Sequence, residues 1–187
     1  MAATTDRAGG PTAVMVIDLQ VAVLATCRDA AGVVARTAVM VDRARAAGAP
    51  VIWVQHEEPG LVRGTPGWEL PAELVPAVGE PRIFKRYRDA FAGDTGLGAR
   101  VEETGATRLV VAGAQSDYCV RTTAQSAAAT GYSVTLVSDC HTTEDTSWDG
   151  VAIGAEQIVA HVNRYFAGLR YPGVEVGLAR HDEVTLG

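Results

Sequence analysis

Short runs of β-branched apolar residues alternate along the chain with longer alanine-rich stretches in which apolar positions recur every three or four residues. The first run, TAVMVID at 12–18, precedes a stretch from about 29 to 47 in which Val33, Val34, Val41 and Ala44 fall at helix spacing. Gly48 and Pro50 stop that helix, and PVIWVQ at 50–55 reads as a second strand. RIFKRY at 82–87 predicts a third strand, 94–104 a short helix, and TRLVVAGA at 107–114 a fourth strand. A helix over 117–130 closed by Gly131, a strand YSVTLVSD at 132–139 and a long helix over 149–168 complete the pattern. Strands this apolar belong in a parallel sheet covered on both faces. The pattern predicts an α/β fold: a three-layer α/β/α domain with a mostly parallel sheet of about six strands and right-handed crossovers.

Between the second and third strands lies HEEPGLVRGTPGWELPAELVPAVGEP, a Gly/Pro-rich segment too long for a plain connection, and such loops are usually functional. No linker divides the 187 residues, so one domain is expected over 1–187, with 1–11 and 177–187 as flexible tails. The net charge of −6, with arginines scattered along the chain, argues against nucleic acid or an anionic membrane as partner. With no bilayer-length apolar run and no signal-peptide pattern at the start, the expected location is cytoplasmic. Three cysteines without a C-x-x-C pair suggest neither a disulfide framework nor a zinc site.

In open parallel sheets ligands bind beyond the carboxyl ends of the strands. The polar residues there are Asp18, Gln55, His56, Lys85, the segment Gln115 to Cys119, and Asp139. Lys85 is the one lysine in a chain with fifteen arginines, and a compact ammonium does what a guanidinium cannot in a tight site. A chance survivor on a solvated turn is the plainer reading, and the functional one is preferred. Asp18 ends an apolar strand, where it either caps the next turn or pairs with Lys85. Cys119 sits near the start of the helix after the fourth strand, where free N–H groups favour a thiolate, although an isolated cysteine is more often packing. Cys27 and Cys140 keep the packing reading. A carboxylate able to take a thiol proton, a lysine and a thiol together suit nucleophilic catalysis.

Taken in order, VIDLQ (16–20), VQHEEPG (54–60), GTPGWEL (64–70), IFKRYRDAF (83–91), VVAGAQSDYCVRTTA (110–124) and VTLVSDCHTTED (134–145) resemble the isochorismatase-like cysteine hydrolase superfamily over about residues 12–168. The resemblance implies the isochorismatase-like hydrolase fold and a catalytic set matching Asp18, Lys85 and Cys119. It also implies a non-proline cis peptide at Ala114–Gln115, with the N–H groups of Gln115 and Cys119 forming an oxyanion hole, and a homodimer or homotetramer. Nicotinamidase-type members bind a metal through a D-x-H motif after strand two. Here Gln55 stands where the first carboxylate ligand would be, so no metal and no cofactor is expected, and His56 reads as a pocket-wall or hydrogen-bonding residue. His161 is expected on a helix surface or subunit contact and His181 in a mobile tail. Gln20, His56, Trp68, Phe91 and Tyr118 are the candidate contacts to a small-molecule substrate.

The implied activity is hydrolysis of a C–N bond in a small amide, ureido or lactam compound through a Cys119 thioester. The alternatives are hydrolysis of a vinyl ether, as by isochorismatases, and a non-catalytic binding protein that kept the fold. Family members acting on the vinyl ether need no cysteine, so Cys119 favours the first.

Overall fold

The computed structural model describes residues 10–187. Its elements begin with β1 (Thr12–Ile17), α1 (Val21–Leu24), α2 (Ala30–Ala46), β2 (Val51–His56), β3 (Arg82–Lys85), α3 (Leu97–Glu103) and β4 (Arg108–Ala114). A single π-helical turn, Ser116–Val120, then leads into α4 (Arg121–Ala129). β5 (Ser133–Thr142), β6 (Thr146–Trp148), β7 (Val151–Ile153), α5 (Ala155–Gly168) and β8 (Val176–Ala179) follow.

All six residues of β1 are buried, so this strand needs neighbours on both edges and cover on both faces. It has them. The six-stranded sheet runs β3-β2-β1-β4-β5-β8, and every pairing in it is parallel. Alternate side chains of β1 sort into two cores, as the two-residue period of a strand requires. Ala13, Met15 and Ile17 pack with Leu97, Val101, Ala124 and Phe166 from α3, α4 and α5. Val14 and Val16 pack with Val33, Met40 and Val41 of α2. The strand order reverses between β1 and β4, so the chains leaving these two neighbours diverge and open a crevice at their carboxyl ends.

Two expectations are corrected. The long helix begins at Ala155, not 149, because residues 146–153 form an antiparallel hairpin of β6 and β7. Asp149 and Gly150, with φ of 49° and 76°, make the tight turn that matches strand twist. The Asp145 carboxylate accepts the Ala155 N–H at 2.7 Å and fixes where α5 starts. Residues 177–187 are not a loose tail. Most of β8 lies within them and forms the sixth strand, and Val184 and Leu186 are buried against the α2 face. Arg43 of α2 donates to the carbonyls of His181 and Val184, and His181 Nδ1 lies 2.8 Å from Asp139 Oδ2. His181 is therefore held in place, while His161 is exposed on α5. The tail expected over 1–11 falls mostly on residues 1–9, outside the described residues.

Candidate active site

Asp18 follows the last residue of β1 in a left-handed conformation, φ 50°, with its N–H bonded to the Val54 carbonyl at 2.8 Å. Gly113 of β4 lets the neighbouring chain come close. A Cβ there would lie 2.2 Å from the Ile17 carbonyl oxygen, so only glycine fits, and the turn from Gln115 to Cys119 is drawn beside Asp18. The Ala114–Gln115 peptide is cis. From the other side, Lys85 ends β3 and pairs in register with His56 at the end of β2. Three strand ends and one turn thus converge on the crevice.

The Lys85 ammonium is the hub. Nζ lies 2.6 Å from Asp18 Oδ2, 3.2 Å from Cys119 Sγ and 3.0 Å from His56 Nδ1. Asp18 and Lys85 are each 1% exposed, so neither charge is shared with solvent. An ammonium has N–H donors and no lone pair, so Lys85 donates to His56 Nδ1 and Cys119 Sγ while it pairs by charge with Asp18. His56 Nδ1 must then be unprotonated, with its proton on Nε2, 3.7 Å from Glu58 Oε2. Burial, helped by the neighbouring ammonium, holds the His56 pKa below its ordinary value, in keeping with a neutral ring.

Burial raises the Asp18 pKa more than Lys85 lowers it. Burial and then the Asp18 charge push the Cys119 thiol up to about 12. The favouring of a thiolate expected from a helix start is therefore overridden. The cysteine lies in one π turn, and desolvation beside a carboxylate outweighs the turn's free N–H groups. The thiol is therefore protonated at rest, facing the Asp18 carboxyl group. Alkylation of Cys119 by iodoacetamide is accordingly expected to keep accelerating as pH rises beyond 9.0, the ordinary thiol value. A rate plateau near or below that pH would show a thiolate already present at rest.

Asp18, His56 and Cys119 each offer a metal-ligand atom, mutually within 4.8 Å. The Lys85 nitrogen touches all three, so the donors surround a protein cation, and a divalent ion would have to displace it.

The other candidates divide. Gln20 and Trp68, expected against substrate, are corrected to internal supports. Gln20 is fully buried and its amide is spent on backbone: it accepts the His56 N–H at 2.8 Å and donates to the carbonyls of His56 at 3.1 Å and Trp68 at 3.0 Å. Gln55 donates to the same Trp68 carbonyl at 3.0 Å, so two glutamines clamp the long loop onto the ends of β1 and β2. Trp68 is 2% exposed and packs 5.5 Å from the Phe84 ring. Phe91, partly buried, stacks on Tyr132 at 6.3 Å and packs against the core. Tyr118, next to Cys119, is half-buried with the Arg88 guanidinium 3.8 Å over its ring, and Arg88 was not singled out from the sequence. Cys27 and Cys140 are held up to about 11 and about 12, chiefly by burial, as expected of packing thiols.

An isochorismatase domain model matches residues 12–165. The chain is similar to two streptothricin hydrolases of Streptomyces noursei. One is 41% identical over 139 residues (71% of this chain, 50% of the relative), the other 40% over 152 (78% and 60%). The chain thus spans only 50% to 60% of the length of these relatives. A crystal structure of an isochorismatase from Pseudomonas putida KT2440 superposes with a TM-score of 0.83 at 29% identity, covering 91% of this chain and 88% of that one. With the parallel sheet and the convergence at its reversal point, this domain-long match identifies the chain as a member of the isochorismatase family of hydrolases.

Proposed function

We propose that the protein is a cysteine hydrolase that cleaves a C–N bond in a small amide, ureido or lactam compound, with Cys119 as nucleophile. The observation that carries this reading is the placement of one ammonium within 3.2 Å of both a carboxylate and a thiol. In the proposed reaction Asp18 takes the thiol proton and the Cys119 sulfur adds to the carbonyl carbon. The N–H groups of Gln115 and Cys119 hold the oxyanion that forms. The C–N bond then breaks, the leaving nitrogen takes the proton from Asp18, and water hydrolyses the thioester with Asp18 again as base. Lys85 offsets the charge that moves between carboxylate and sulfur and keeps the two groups aligned. The similarity to streptothricin hydrolases supports an amide or lactam substrate.

The test is ammonia or amine release from a panel of small primary amides, ureido acids and lactams, with Cys119→Ser as control. Turnover of at least one compound by the wild type and none by the variant is expected. Equal rates in the two would exclude the thioester route. A second reading, vinyl ether hydrolysis, draws on the raised pKa of Asp18, which suits a carboxylic acid able to protonate carbon. Iodoacetamide separates the two, since alkylation must stop thioester formation and need not stop acid catalysis.

A further inference from the structure

Ser116 directly follows Gln115 and is wholly buried, so its hydroxyl needs a partner inside the protein. That partner is His141 of β5, whose Nδ1 lies 2.8 Å from Ser116 Oγ. His141 reaches this place through an irregularity in the ladder. Val111 pairs with Leu136, yet two residues later Gly113 pairs with His141. On its far side His141 Nε2 lies 3.0 Å from Asn163 Oδ1 on α5, and Asn163 Nδ2 donates to the Ser138 carbonyl at 3.1 Å.

The direction of every proton in this chain of bonds follows from its far end. A carbonyl only accepts, so the Asn163 amide nitrogen faces Ser138 and its oxygen faces His141. His141 Nε2 must then carry the ring proton. Nδ1 is left as the acceptor, and the Ser116 hydroxyl is the donor. Burial holds the His141 pKa below its ordinary value, which keeps the ring neutral and this order intact.

We propose that His141 and Asn163 are positioning residues that act through Ser116 to hold the Gln115 and Cys119 N–H groups where the tetrahedral oxyanion forms. The proposal rests on the amide-hydrolase reading above. These donors meet full charge only in the transition state, so disturbing them lowers kcat more than it changes KM. Thiol reactivity is set by Asp18 and Lys85 and stays as it is.

The experiment compares the wild type with Ser116→Ala, with folding checked by thermal melting. In the variant kcat for a turned-over amide is expected to fall about 10-fold with KM within about 2-fold, while Cys119 alkylation by iodoacetamide keeps its rate. Ser116→Thr, which restores the hydroxyl, should recover most of the loss. Asn163→Ala frees the His141 tautomer and serves as a second variant should Ser116→Ala not fold, with an expected loss of about 3-fold in the same pattern. A parallel arm uses propionaldehyde, which adds reversibly to Cys119. The C–S bond forms, the carbonyl π pair becomes an alkoxide, and the thiol proton passes to Asp18. Protection of Cys119 from iodoacetamide should require about 10-fold more aldehyde in Ser116→Ala. This arm needs no amide, so a wild type that turns over none would refute the amide-hydrolase reading while the aldehyde still decides the role of Ser116. Unchanged kcat and unchanged aldehyde protection, or alkylation and turnover falling in equal proportion, would overturn the proposal.

Discussion

Cys119→Ala is expected to lower amide turnover about 10⁴-fold or more, since losing the nucleophile of a unit that acts together removes nearly all of its contribution. The same change should leave unfolding within about 1 kcal/mol of the wild type. Cys119 is half-buried and its sulfur is one of three groups around Lys85, so the Asp18–Lys85 pair survives its removal. The check is a turnover assay alongside a thermal or denaturant melt. A variant that loses both activity and fold would point to a structural thiol, and one that keeps its activity would end the thioester mechanism.

Lys85→Met should do the opposite to stability. Methionine fills a similar volume but leaves the Asp18 carboxyl without the Lys85 charge in a site that is 1% exposed, so the variant must bury a lone charge or take up a proton, at a cost of about 3–5 kcal/mol near neutral pH. The sign of the pH dependence follows from Asp18. Its folded pKa already lies above the ordinary 3.8, and removing Lys85 takes away the largest force lowering it. A carboxyl whose pKa is higher folded than unfolded favours the folded state when protonated. The variant should therefore approach wild-type stability as pH falls toward 3.8 and lose ground as pH rises through the folded value. The double variant Asp18→Asn, Lys85→Met should recover much of the loss at neutral pH, since no lone charge remains. Denaturant melts across pH on the single and double variants supply the cycle. A flat profile for Lys85→Met would mean that Asp18 finds another counter-charge.

Much of this was readable from residue order because apolar runs dominate it. β1, β2 and β4 are buried on both faces and show themselves without their neighbours; Asp18 and Cys119 follow β1 and β4, while Lys85 closes the short edge strand β3. The hairpin at 146–153 was hidden by Val151, Ala152 and Ile153, which extend the helical period backwards over the Asp149–Gly150 turn. β8 is four residues with a glycine among them, too short to stand out from coil, and its reason to be a strand is the free edge of β5. Gln20 and Trp68 looked like pocket residues because polar and aromatic types cluster near sites. Whether an amide turns toward ligand or toward backbone depends on the path of the long loop, which periodicity does not describe. Ser116 and His141, 25 residues apart, meet only because the β4–β5 ladder slips before Gly113.

The confinement of Lys85 has a practical side. A protease that cuts only after lysine finds one such bond in the whole chain, Lys85–Arg86, and its specificity residue is locked inside the sheet edge. Cleavage can proceed only from molecules in which β3 has peeled away from β2, so the rate of a single two-fragment cut measures how often that edge strand opens.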